Sequence, residues 1–367
     1  MFYYFWLLNK KIRIKLHNLF EEKKTLNKTP SLEYVNFYLW NFIQKRFVYT
    51  SKGIFYKTKV MNNNEPMTLA QARVLLGLCK LYSNNLIRHN GLFLIKEFQK
   101  FILSMKSKNG IYKFNQKSWS LQDEGIATIW VLLALLETYK ITNEKTLLQE
   151  IIKTIETVNK ILFSKKNSLL HTLGDDYWTL NAASTYAWFV AELFPFYKTE
   201  ELLENYEISI ALCNSKIEEN SQNYFPYSEK KPGTYLLLYN PVVIYTLAKA
   251  INSKFITTEL KIETETNLEK ARSFVLSQMD KDYFFVEPEM KVFSRYIISN
   301  IIALISLKSK IDKEKEVKIL NNIQSYFIDE KMFLCRNENG EYYDGNLYEV
   351  NDVLVTEVFY WLTNYLY

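Results

Sequence analysis

Glycine and proline are scarce in this chain, nine and seven in 367 residues, which argues against sheets built on tight turns and against flexible linkers. Cysteine is scarcer. Cys79, Cys213 and Cys335 form no CxxC pair, so neither a disulfide framework nor a four-ligand zinc site follows from them, and a reducing, cytoplasmic setting is expected. His17, His89 and His171 stand in no ligand pattern with these cysteines, and no metal is expected. Glycine motifs that cradle a phosphate or a dinucleotide are missing, so no nucleotide cofactor is expected either. The surplus of 46 basic over 40 acidic residues gives only +6, spread along the chain, unlike the one-sided basic face of a nucleic-acid binder.

Apolar and aromatic side chains are abundant, with 48% apolar residues, 27 Tyr and 24 Phe, enough to bury one large core. The chain opens on Met1-Phe2-Tyr3-Tyr4-Phe5-Trp6-Leu7-Leu8 and turns basic at Lys10, Lys11, Arg13 and Lys15. That order is the reverse of a secretory signal, and the apolar run is too short to span a bilayer. Residues 1–31 therefore read as an apolar and basic strap against the body, the alternative being peripheral contact with a membrane surface. Residues 32–367 read as one domain.

From residue 32 onward two kinds of helical segment alternate. Leu69–Tyr82, Ile126–Tyr139, Ala182–Phe194, Pro241–Ile251, Tyr296–Leu307 and Val353–Tyr365 are apolar nearly all round, as buried helices must be. Between them, Leu32–Phe47, Gly91–Met105, Glu144–Phe163, Thr199–Lys216, Thr266–Met279 and Lys313–Phe327 carry apolar residues at three- and four-residue spacing with charges opposite. The first set predicts an inner ring and the second an outer ring. Six such pairs bury their inner helices on both sides only if the array closes, since an open solenoid needs polar end caps.

A repeated phrase marks the connections from outer to inner helices: Lys52-Gly53-Ile54-Phe55-Tyr56, Asn109-Gly110-Ile111-Tyr112, Asn167-Ser168-Leu169-Leu170-His171, Asn223-Tyr224-Phe225, Asp282-Tyr283-Phe284-Phe285 and Lys331-Met332-Phe333. Each predicts a turn followed by a short extended piece. Sliding the inner helices over one another on Trp130 and Trp188, and on Ala248 and Ala303, aligns Asp123, Asn181, Asn240, Arg295 and Asn351 at helix starts. One polar end of the ring is expected, although ordinary helix capping explains several of these residues without any function.

With this organisation the chain resembles the α/α-toroid superfamily of six-hairpin glycosidases, uronate lyases and epimerases, terpene cyclases and prenyltransferases. Asp123-Glu124-Gly125-Ile126-Ala127-Thr128-Ile129-Trp130 and Thr68-Leu69-Ala70-Gln71-Ala72-Arg73 look like inner-helix starts of its sugar-processing members. The resemblance implies an all-α, double-layered (α/α)6 toroid over Leu32 to Tyr367, with its site in the funnel at the amino-terminal ends of the inner helices.

Acidic and aromatic residues gather on those connections: Trp119, Asp123 and Glu124 on one, Asp175, Asp176, Tyr177 and Trp178 on the next. Aromatic faces stack on pyranose rings, and paired carboxylates divide into acid and base when their surroundings differ. Caps and solvated loop charges are the competing explanation. Tyr235, Tyr239 and Asn240, with Arg295 further round the ring, suit a second chemistry in which Arg or Asn holds a uronate carboxylate and Tyr moves a proton, as the resemblance implies for lyases and epimerases. Arg295 must in any case find an acceptor, a ligand carboxylate or a neighbouring Asp such as Asp352. Tyr343, Asn351 and Asp352 return the last connection to the first, and Glu357 is either paired, with Arg73 as partner, or raised in pKa. The expected ligand is a saccharide or another small molecule. The alternatives are a non-catalytic binding scaffold and a terpenoid or prenyl-processing enzyme, for which the DxDD and repeated Gln-Trp signatures are missing. Composition sets no oligomeric state.

Overall fold

The structure is a computed structural model that describes residues 31–58, 66–113, 124–231, 238–286, 295–328, 331–333, 335–336, 342–343 and 352–367. The predicted strap lies outside the described residues except for Ser31, whose hydroxyl caps the first helix by accepting from the Tyr34 N–H at 3.3 Å. Twelve helices follow among the described residues. The outer ones are α1 (Leu32–Gln44), α3 (Arg88–Ser104), α5 (Lys145–Leu162), α7 (Glu200–Glu218), α9 (Thr258–Ser277) and α11 (Lys313–Gln324). The inner ones are α2 (Thr68–Ser83), α4 (Gly125–Thr142), α6 (Leu180–Leu193), α8 (Asn240–Ala250), α10 (Ile297–Ser306) and α12 (Asp352–Leu366).

Burial follows the two sequence patterns. Almost every residue of α4 from Gly125 to Leu136 is buried, whereas α5 buries one face through Leu147, Ile151, Ile155, Val158 and Leu162. Leu133, Val190, Ile244 and Ile302 are all at most 2% exposed, each gaining about 1.5–3 kcal/mol from burial. One helix starts earlier than its periodicity predicts. Thr257 caps α9 by accepting from the Leu260 N–H at 3.4 Å, and the helix starts at Thr258, eight residues before the apolar stripe becomes visible at Thr266. The intervening turns are polar, and Ile262 faces solvent.

Each inner helix packs on the next, from α2 round to α12, and α12 returns to α2 while α11 meets α1. The molecule is thus a closed double-layered (α/α)6 toroid. Specific contacts make the closure: Phe359 stacks on Trp40 at 5.9 Å and lies where a Cβ at Gly77 would be, and Thr363 Oγ1 donates to Asn36 Oδ1 at 3.2 Å. Halfway along the bore, Trp130, Trp188, Tyr245 and Trp361 close a cycle of edge-to-face contacts at 6.0, 5.6, 5.2 and 6.1 Å. These rings come from α4, α6, α8 and α12, so they tie four inner helices together inside the ring.

The repeated phrases form the turns that lead into the inner helices. Five of the six carry a residue of positive φ at their first or second position, Gly53 (115°), Gly110 (84°), Ser168 (58°), Asn223 (61°) and Tyr283 (64°). In four of them an aromatic residue just beyond the turn has its backbone N–H and C=O bound by one polar side chain near the start of the following inner helix. Gln71 clamps Tyr56, Thr128 clamps Tyr112, Asn240 clamps Phe225 and Asn300 clamps Phe285. The clamps correct the repeat register: Asn300, not Arg295, is the equivalent of Asn240. Small apolar residues such as Ala248 and Ala303 recur too often in inner helices to set a register, whereas a two-ended hydrogen-bonded clamp permits only one.

Short antiparallel hairpins carry several of these phrases. They pair β1 (Phe47–Thr50) with β2 (Gly53–Tyr56), β3 (Phe163–Ser164) with β4 (Ser168–Leu169), and β6 (Phe327–Ile328) with β7 (Lys331–Met332). In addition β5 (Arg295–Tyr296), β8 (Cys335–Arg336) and β9 (Tyr342–Tyr343) form a three-stranded sheet beside the start of α10.

Candidate active site

The start of α4 is pinned to the connection that follows β4. Gly125 donates its N–H to the His171 carbonyl at 2.8 Å, and any Cβ at this position would collide with the Leu170 carbonyl. Only glycine permits that approach. The next residue back, Glu124, forms a bridge with Thr172, so the Glu124 side chain is brought against the turn that carries Asp175. Asp175 is fixed in turn, its Oδ2 accepting from the Thr172 N–H at 2.9 Å.

Glu124 is 6% exposed and its Oε2 has no hydrogen-bond partner. Burial, and then the charge of Asp175, push its carboxyl up to about 7, so near neutral pH it keeps a proton that an exposed glutamate would have lost. His171 stands on the same turn, its Nδ1 3.2 Å from Thr172 Oγ1. Burial lowers its pKa against the opposing pull of Asp175, which favours the neutral imidazole. The Tyr177 hydroxyl is raised by burial and then by Asp175, and that of Tyr227 by burial, Asp175 and Glu124. Five titratable groups from three connections thus lie close enough to shift one another.

A second polar group comes from other helices. Arg73 in α2 and Glu357 in α12 pair at 3.0 Å, and Arg73 Nε is left buried without a partner. Pairing is therefore the outcome for Glu357. Tyr239 and Tyr296, the residues before α8 and α10, are raised by burial first, with Glu357 contributing to both. Residues of α2 and α12 and those just before α8 and α10 therefore lie near one another.

Other sequence candidates lie elsewhere or are already engaged. Arg295 is 5% exposed, stacks on Phe284 at 4.5 Å and binds Asp280 and Asp282 at 2.6 and 2.9 Å. Its acceptors are thus two carboxylates from the preceding turn. Asn240 spends both ends of its amide on Phe225. Trp178 is buried beneath Lys216 of α7, and the Asp176 side chain is exposed. Asn181, in the first turn of α6, is 7% exposed with its Oδ1 unpartnered. Tyr343 is described only as part of β9, and Asp352 only as the first residue of α12. Trp119, Asp123, Tyr235 and Asn351 lie outside the described residues. The sequence reading did not single out His171 as a site residue. Its one signal was its place at the end of a repeated phrase. Among the described residues no cluster of His, Cys, Asp and Glu is arranged to hold a metal ion.

No family model and no curated protein matches the chain. Its fold does match solved structures. One is cellobiose 2-epimerase from Bacillus thermoamylovorans, with a TM-score of 0.71 at 11% identity over 89% of this chain and 95% of that one. A D-mannose isomerase gives 0.70 at 12% identity over 91% and 97%. An inactive variant of the α-1,6-mannanase of a Salegentibacter species, with two neighbouring aspartates changed to alanine and an α-1,6-linked mannotetraose bound, gives 0.66 at 14% identity over 92% and 99%. The six-hairpin toroid is shared with these sugar-processing enzymes.

Proposed function

We propose that this toroid is a carbohydrate-active enzyme that performs acid–base catalysis on a neutral saccharide in the amino-terminal funnel. The observation that carries this reading is Glu124, a buried carboxyl with an unpartnered oxygen that is protonated up to about pH 7 beside the carboxylate of Asp175. Two carboxyls held in unlike surroundings supply a proton donor and a base at one place. Glu124 donates to the departing glycosidic oxygen, and Asp175 assists water or stabilises the charge that develops on the sugar. The fold supports the same class of substrate, and the mannanase variant described above lost activity with two neighbouring aspartates. This chain carries two adjacent acid pairs, Asp123-Glu124 and Asp175-Asp176.

His171 favours a second reading within the class. A neutral imidazole beside Asp175 can take a proton from sugar carbon, which is the step an epimerase or isomerase needs. The uronate reading has less support, because Arg295 is neutralised by Asp280 and Asp282 and Arg73 by Glu357.

The test is turnover of cellobiose, mannose and α-1,6-linked mannan by the wild type and by Glu124→Gln, Asp175→Asn and His171→Asn. Wild-type activity on one of these, cut about 10²–10⁴-fold by Glu124→Gln, supports the proposal. Release of reducing ends marks hydrolysis, and deuterium uptake from solvent marks epimerisation. Full activity in all three variants, or no turnover by the wild type, refutes it and leaves a binding scaffold.

A further inference from the structure

The first outer helix is aromatic on the side it turns away from the ring. Leu32, Val35, Leu39, Trp40 and Ile43 of α1 are buried against the inner layer, and Tyr34, Phe37 and Tyr38 fall on the opposite side of the helical turn. Other outer helices present polar side chains there. On α5 the exposed positions are Lys145, Thr146, Gln149, Lys153, Glu156 and Lys160, and on α7 they include Glu200, Glu201 and Glu204. The outward aromatics of α1 are instead half-buried, with the Tyr34 and Tyr38 rings 5.5 Å apart. The helices packed on α1 are α11 and α12, and α12 holds the opposite face through Trp40 and Asn36. Part of the outward face is therefore covered by something other than the inner ring.

The chain ahead of α1 supplies a matching piece. Residues 1–30 are the longest stretch outside the described residues, and they lead directly into Ser31, the cap of α1. Within them Phe5, Leu8, Ile12, Leu16 and Leu19 recur at three- and four-residue spacing, while Lys10, Lys11 and Arg13 fall off that stripe. Lengths agree as well. A helix over residues 5–19 is roughly 21 Å long, and the 13-residue α1 is roughly 20 Å. Pro30 disfavours helical backbone at Thr29, and Ser31 is extended with ψ 157°, so no helix runs straight through into α1. Residues 20–30 reach well beyond the roughly 10 Å that separates packed helix axes, enough for the chain to turn back.

We infer that residues 5–19 form an amphipathic strap lying antiparallel along the outward face of α1, its apolar stripe against Tyr34, Phe37 and Tyr38 and its basic residues toward solvent. An isolated helix of this length is marginal in water, so packing on α1 is what holds it. The strap adds a third layer outside the seam where the ring closes, since α1 is the helix that Phe359 and Thr363 join to α12.

Amide hydrogen exchange over residues 5–19, read by mass spectrometry on the full chain, is the test. In the parent protein these amides should exchange at least about tenfold more slowly than in a synthetic peptide of residues 1–24. Phe37→Glu puts a charge on the outward face and Ile12→Glu puts one on the stripe, and each should remove most of that protection. Ile14→Glu, off the stripe, should leave it near the parent's. Circular dichroism checks folding, and Tyr38→Glu repeats the comparison from a second position if Phe37→Glu does not fold. Peptide-like exchange in the parent, protection that survives Phe37→Glu and Tyr38→Glu, or equal losses in Ile12→Glu and Ile14→Glu overturns the inference. Protection that grows with protein concentration, with a dimer seen by sedimentation, assigns the face to a second copy and overturns it. Protection that appears only with phosphatidylserine vesicles assigns the segment to a membrane surface and overturns it too.

Discussion

Replacing Glu124 with Gln should make the protein more stable above neutral pH while it removes activity. The argument starts from the elevated carboxyl. In the unfolded chain Glu124 loses its proton near 4.5, and in the folded protein only near 7. Below pH 4.5 both states hold the proton and the residue contributes no pH dependence. Between 4.5 and 7 the unfolded state has released it while the folded state still binds it, so stability falls as pH rises through this window. Above 7 the loss is complete, and a rise of this size corresponds to about 3 kcal/mol. Gln keeps the shape of the protonated acid and carries no charge at any pH. Urea unfolding of both proteins at pH 5 and pH 8 should therefore show the advantage of the variant growing by about 2–3 kcal/mol between the two. Because Asp175 is the smaller cause of the shift, Asp175→Asn should recover only a minor part of that gain. Parallel pH profiles for wild type and Glu124→Gln would show that Glu124 ionises normally, and the assignment of a proton donor would fall with the stability argument.

Gly125→Ala should cost about 1–3 kcal/mol in urea unfolding, because the new methyl meets the Leu170 carbonyl. It should also cut turnover by displacing Glu124 from the Asp175 turn, and a variant of wild-type stability would show that the start of α4 is not pinned as described. Arg73→Ala should destabilise by about 3–5 kcal/mol by leaving Glu357 buried without its partner, and Arg73→Met combined with Glu357→Leu should recover most of that loss in thermal unfolding. Equal stability of the single and double variants would contradict a buried pair.

The architecture was legible in the sequence because it depends on periodicity. An all-round apolar run such as Ile126–Leu136 can only be an inner helix, and a striped one such as Leu147–Val158 only an outer one. Closure was legible by the same logic, since six buried inner helices leave nothing to cap the ends. The Glu357–Arg73 pair was legible because a carboxylate among Val355, Val358 and Phe359 has to find a cation. Tertiary structure alone decided which polar residues near the funnel are spoken for. Asn240 and Arg295 look alike in sequence as polar residues opening apolar helices, yet one is consumed by the Phe225 backbone and the other by Asp280 and Asp282. Asn181 also lies at the start of an apolar helix and keeps its oxygen unpartnered. Nothing local separates the three, because hydrogen-bond satisfaction depends on which backbone and side-chain groups the neighbouring hairpin brings within 3 Å or so. The same holds for His171 and Glu124. Their residue types are visible anywhere in the chain, but their shifted titration exists only because Gly125 lets the turn before α6 close over the start of α4.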